Sequence, residues 1–239
     1  MKSRKDQLKD RGYFTKKDLE KYHNFSNGEL LNLTKDLIPQ KRAIAIHLLS
    51  FKNTSNNYTS YFLELFKDEK KLYVRLEIAK ALKKGNIQTA KLMIPYLNKI
   101  PNNQYNSLPT KISVKKTYLI PRDLIGRILS KMDIAIFPLI LELLKTSNLE
   151  LLSESLDIFG FMIFHNQELA TFENFKILSD LFEKYKSNDL ILWKIVMVTS
   201  AFRNSESIDF LNNIKEFSSH EIIKNEVDRS IFLIEKNMD

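Results

Sequence analysis

With 239 residues, 44% of them hydrophobic and 28% charged, the chain has the composition of a folded protein long enough to bury a substantial core. Five glycines and six prolines are too few turn residues for an all-β fold. The absence of cysteine excludes disulfides, thiolate metal sites and a cysteine nucleophile, while the formal net charge of +8 keeps anionic partners in play.

The N-terminal Met-Lys-Ser-Arg-Lys is charged with no apolar stretch behind it, so no secretory signal is expected. The best apolar runs, 134–144 and 190–202, are short and carry Glu142 and Lys194, which excludes a membrane span. A cytoplasmic protein is expected. Sequons beginning at Asn24, Asn32, Asn53 and Asn57 then read as chance occurrences in an Asn-rich chain.

In chain order, residues 1–27 come first, dense in charge and carrying Tyr13, Phe14 and Tyr22. Thr15 can cap a short helix over 16–23, and the whole segment reads as a cap on the open edge of the first helix pair. From residue 28 onward, apolar residues recur at i, i+3, i+4 and i+7. The spacing predicts helix pairs at 28–37 with 40–51, 58–66 with 72–83, 87–98 with 122–131, 134–144 with 149–164, 172–185 with 190–202, and 207–217 with 221–235. Ser26 with Glu29, Ser147 with Glu150, and Ser218 with Glu221 match the Ser-x-x-Glu capping box. Asn86, Asp133 and Thr171 stand where single N-caps belong.

The second helices superpose. Arg42, Arg75 and Arg122 share one position, and Leu49, Leu82 and Leu129 come seven residues after them. Leu152, Ile191 and Lys224 occupy the arginine position later, giving spacings of 33, 47, 30, 39 and 33 residues, the period of a helical solenoid with one insertion. The segments 74–82 and 121–129 resemble the second helices of HEAT-like, armadillo-type repeats, and Pro95 and Pro138 lie mid-way in first helices, where that family carries a kink-forming proline. The resemblance implies an all-α fold, a right-handed α-α superhelix of about six helix pairs over residues 28–239. It implies fold and not activity, because HEAT-like arrays serve many functions.

The insertion, 100–121, adds about 13 residues to the third pair and has three prolines, no acid and no helical period. It carries Lys111, Lys115 and Lys116 with Tyr105 and Tyr118, and reads either as a mobile solvated loop or as a basic flap beside a groove. Charge is uneven as well. Residues 1–131 hold 27 Lys/Arg against 11 Asp/Glu, and residues 132–239 hold 10 against 18. If second helices line the concave face, as the resemblance implies, Arg42, Arg75, Lys80, Arg122 and Arg127 lie on or near it. Each is either a strut to a neighbouring carboxylate or part of a track for an anionic partner.

Catalytic signatures are missing from the sequence: the four histidines are scattered, and no phosphate loop or nucleophile elbow is present. His220-Glu221 is a single copy of the dipeptide that HEAT-like deoxyhypusine hydroxylases repeat, so no metal or cofactor is expected. Trp193 with Asp189 is a partial echo of the alkylpurine DNA glycosylases built from HEAT-like repeats, but its apolar neighbours suggest a core tryptophan. The expected protein is a non-catalytic scaffold, monomeric or weakly self-associating, that binds the acidic surface of a protein partner. Nucleic acid remains the alternative partner.

Overall fold

Helix is the only regular structure among the described residues of the computed structural model, which are 4–52, 58–100 and 103–238. The sequons at Asn53 and Asn57 and the first three residues lie outside them. No helix among the described residues is long and apolar enough to cross a membrane. The chain divides into two compact units, Met1–Pro95 and Tyr96–Asp239.

The first unit holds α1 (Arg4–Lys9), α2 (Lys16–Glu20), α3 (Asn27–Leu33), α4 (Pro39–Lys52), α5 (Thr59–Asp68), α6 (Leu72–Lys83) and α7 (Ile87–Met93). Pro39 opens α4, where its missing N–H costs nothing. Helix α3 packs on α4, α5 on α6 and α7, and α4 lies directly against α6. The seven-residue register explains that seam, since Leu49 and Leu82 are 0% and 1% exposed. Residues 11–14 lie across α4 and the start of α6. The Tyr73 N–H donates to the Arg11 carbonyl at 3.0 Å, while Tyr13 and Phe14 meet Tyr73 and His47 edge-on, each at 5.2 Å. Gly12 has φ +95°, and a Cβ there would press on the Val74 side chain, so the turn needs glycine.

The second unit holds α8 (Leu124–Leu129), α9 (Phe137–Leu143), α10 (Leu149–His165), α11 (Phe172–Tyr185), α12 (Asp189–Thr199), α13 (Ser205–Phe217) and α14 (Glu221–Met238). Within it α8, α10, α12 and α14 touch in succession, with α9 on α10, α11 on α12 and α13 on both α12 and α14. Helices α10 and α12 are buried along nearly their whole length. A phenylalanine ladder ties the outer helices together: Phe175 meets Phe202 and Phe210 at 5.4 and 5.6 Å, and Phe182 meets Phe210 and Phe217 at 5.5 and 5.8 Å. Such pairs add to the area they bury.

Helix termini depart from expectation where a better cap lies nearby. The Ser26–Glu29 box forms, and Asn86 and Thr171 cap their helices. Asp133 instead caps the 3-10 turn Ile134–Ile136. At α10 the cap is Asn148, not Ser147, because its carboxamide oxygen accepts from the Leu151 N–H at 2.9 Å. Ser218 ends α13 and accepts from the His220 N–H, so it forms no box with Glu221. The prolines do not kink continuous helices. Pro95 sits in the 3-10 turn Ile94–Tyr96, and Pro138 in the first turn of α9, so each marks a switch of helix type.

The buried seam gives a direct stability test. Leu82→Ala should cost about 2–5 kcal/mol. Leu76→Ala, on the same helix but 42% exposed, should stay within about 0.5 kcal/mol of the parent. Denaturant unfolding of the two variants measures this, and equal losses would contradict the register.

Candidate functional site

The five cations expected on a concave track differ in what holds them. Arg42 is a strut: Nε and one terminal nitrogen grip Glu69 at 2.8 and 3.0 Å, and the other reaches the Asp36 carbonyl at 2.9 Å. Burial pushes Glu69 up, but these hydrogen bonds outweigh it and hold its carboxyl below the usual range. Lys80 pairs with Glu77 at 2.6 Å, and Glu77 also meets His47 Nδ1 at 2.9 Å. Arg75 lies over the Phe66 ring at 5.3 Å. These three belong to the first unit, whereas Arg122 and Arg127 belong to the second.

In the second unit the described part of the insertion, 103–121, is non-helical and fastened at several points. Tyr105 meets the edge of Trp193 at 5.0 Å, and the Arg122 guanidinium lies over the Tyr105 ring at 4.3 Å. Asp123, which has no solvent exposure, caps α8 by accepting from the Gly126 N–H at 2.7 Å. It also accepts from the Asn98 N–H at 2.9 Å and from the Gln104 amide. Burial nevertheless raises its carboxyl above the ordinary value.

Tyr118 makes the deepest contact. Its ring lies 4.9 Å from Phe164, and its hydroxyl sits so close to Gly160 of α10 that a Cβ there would collide with it. Burial pushes this phenol well above its usual range. From α14, Arg229 donates to the carbonyls of Lys115 at 3.1 Å and Thr117 at 2.8 Å, and Lys236 donates to that of Lys116 at 3.1 Å. A mobile solvated loop does not describe this segment, because its tyrosines are packed and three successive carbonyls are held. Lys111, Lys115 and Lys116 are exposed, with the Lys116 ammonium 5.5 Å from the Phe232 ring.

Beneath the insertion lies a buried polar seam. Lys194, fully buried, ends 2.6 Å from Asp157, and Glu226, also fully buried, meets Arg229 at 2.6 Å. Burial raises Glu226, with Arg229 and the Trp193 indole acting against it. Glu77, Glu154 and Glu226 stand at one repeat position, two residues after Arg75, Leu152 and Lys224. Sequence reasoning misses Asp157, Lys194, Glu226, Arg229 and Gly160 as site residues. The available signal is a charged residue inside an apolar run at a core-facing position.

The insertion and the helices enclose a cavity of about 310 Å³, whose wall includes Lys115, Tyr118, Arg122, Arg127, Asp157 and Arg229. Asp157 and Arg229 already have ionic partners. Among the described residues no carboxylate lies at ion-pair distance from Lys115, Arg122 or Arg127. Arg127 donates its Nε to the Pro121 carbonyl at 3.0 Å, and burial lowers its pKa, opposed by Asp123. The Trp193–Asp189 pairing suggested by the sequence does not assemble. Trp193 is 1% exposed, while Asp189 is near half-exposed and meets His220 Nε2 at 3.1 Å. Comparisons with protein-family models, with curated proteins and with solved structures gave no match.

The packing makes two outcomes measurable. Gly160→Ala should destabilise the protein by about 1–3 kcal/mol through overpacking and open 103–121 to protease, with Tyr118→Phe in the same chain recovering part of the loss. Parent-like melting and cleavage of Gly160→Ala would contradict the Tyr118 contact. The second outcome concerns Glu154, 2% exposed with no partner for Oε2. Its carboxyl is pushed up to about 8 by burial, with Lys194 acting against that and Asp157 and Asp123 adding to it. A carboxyl raised on folding stabilises fully below its unfolded pKa, and that contribution is lost as pH rises through the folded value. Stability should therefore fall from about pH 4.5 to about pH 8, and Glu154→Gln should flatten that decline in unfolding measured across the range.

Proposed function

We propose that the chain is a non-catalytic HEAT-like scaffold, a right-handed run of helix pairs, that binds an acidic segment of a protein partner at the insertion-covered face of the second unit. Helix alternation, with second helices in contact within each unit, supports the HEAT-like reading. The binding reading rests on Lys115, Arg122 and Arg127 lining one cavity with no carboxylate at ion-pair distance from them among the described residues, the Asp157 of the same lining being paired with Lys194. Arg127, half-buried beside the exposed Lys115 and Arg122, favours an anion that replaces its lost hydration. Arg42 and Lys80 drop out of the binding set because Glu69 and Glu77 already hold them.

A protein partner is favoured over nucleic acid by the charge of the unit that carries the site. Residues 96–239 hold 17 Lys/Arg against 19 Asp/Glu, yet 96–131 alone hold seven cations and one acid. A short acidic segment can use that local excess, whereas a long polyanion would run into the acidic remainder. The proposed protein acts in the cytoplasm as a monomer or weak self-associate, with no cofactor.

The test is anisotropy of a labelled oligo-glutamate peptide and of a labelled DNA duplex at two salt concentrations. The parent should bind the peptide in a salt-dependent way, and Arg122→Glu with Arg127→Glu should weaken binding by about tenfold or more, equivalent to ~1.4 kcal/mol. Lys111→Glu with Lys115→Glu, both at exposed positions, provides a second reversal that leaves the core untouched. Duplex binding without peptide binding would overturn the acidic-protein reading in favour of nucleic acid.

A further inference from the structure

The cavity beneath the insertion has a mixed lining. Lys115, Arg122 and Arg127 line it together with Tyr118, Ile120 and Met197, and Asp157 and Arg229 in the same lining are already paired. Arg127 spends its Nε on the Pro121 carbonyl, which leaves the terminal nitrogens as its remaining donors. The Arg122 guanidinium lies over the Tyr105 ring at 4.3 Å, a cation–π contact that restrains it beside the cavity. A lining of this kind matches an oxyanion, which accepts two parallel N–H bonds from a guanidinium.

Volume decides the size of the guest. About 310 Å³ lies at the lower end of the range of ligand pockets, roughly 300–1,000 Å³. It is room for a group of side-chain size. The apolar part of the lining then requires that the group carry more than its charge. A bare ion would leave the exposed Ile120 facing water, whereas an apolar body attached to the oxyanion covers it.

We propose that this cavity binds a small amphipathic anion, a carboxylate or phosphate head on an apolar or aromatic body, with Arg122, Arg127 and Lys115 receiving the head. The inference rests on the acidic-partner reading and deepens it, because the anchor of such a partner becomes one residue with an apolar body and a free oxyanion. A free metabolite of the same chemistry would occupy the cavity equally well. Tyr118, whose contact with Gly160 seats the insertion, is also one of the cavity's lining residues.

The chain supplies its own reporter. Trp193 is its only tryptophan, and Tyr105, which lines the cavity, meets it edge-on at 5.0 Å. Titrations monitored by Trp193 fluorescence use N-acetyl-phenylalanine, its neutral amide and phenyl phosphate. Saturable binding is expected for the acid or the phosphate and not for the amide, with the tighter of the two identifying the head. Arg127→Gln should weaken it about tenfold or more. Should that variant fail to fold, Arg122→Gln, at an exposed position, gives the same expectation. Competition with the oligo-glutamate peptide separates the two readings. Peptide binding without any small-acid binding overturns the cavity proposal alone, and small-acid binding without peptide binding overturns only the acidic-partner reading. Equal binding of the acid and its amide, or unchanged binding in the variants, would overturn the proposal.

Discussion

Lys194 enters the interior of the second unit with no solvent exposure and ends 2.6 Å from Asp157. A buried ammonium without a partner is prohibitively costly, and removing one member of such a pair typically costs about 3–5 kcal/mol. That pair therefore fixes how α10 and α12 face each other. It also makes the exposed side of the seam polar where an ordinary helical layer would be apolar. Glu154 and Glu226 lie along the same seam, both carboxyls raised by burial.

A polar seam of this kind needs a cover that keeps water from the apolar residues between its charges. The insertion provides that cover. Arg229 does two jobs with one guanidinium, holding Glu226 at 2.6 Å and donating to the carbonyls of Lys115 and Thr117. Tyr105 closes over Trp193, and Tyr118 fills the groove that Gly160 leaves open. The cavity is the space left where the cover and the helices do not quite meet. Its cations are Lys115 of the insertion together with Arg122, Arg127 and Arg229 outside it.

The helices are legible in the sequence because amphipathic periodicity is a local property. Helices α6 and α11 fall at the expected residues, and Leu49, Leu82 and Leu129 are all buried as their shared register requires. Caps are legible only where one candidate stands alone: Ser26 holds, but Asn148 displaces Ser147 because its amide oxygen reaches the N3 N–H. Helix α1 escapes a periodicity reading, since its six residues show no complete apolar repeat. The site is the least legible part. Arg229 and the carbonyls it holds are more than 110 residues apart, and no local pattern announces such a pairing. Lys194 looks in sequence like a charge interrupting an apolar run, when it is itself a core residue. The arginine register is visible, but whether each cation meets a carboxylate depends on neighbours brought in by folding, as Glu69 is for Arg42.

The insertion is a seated part of the second unit, and the Tyr118 phenol reports on that seating directly. The chain has nine tyrosines, and burial should keep this one from ionising at its ordinary pH. Spectrophotometric titration of the parent and of Tyr118→Phe into the alkaline range measures that. A seated insertion predicts that the substitution removes a phenol titrating well above the ordinary tyrosine range, leaving the other eight unchanged. If it removes instead a phenol that titrates at the ordinary value, Tyr118 is in water and the insertion does not cover the seam.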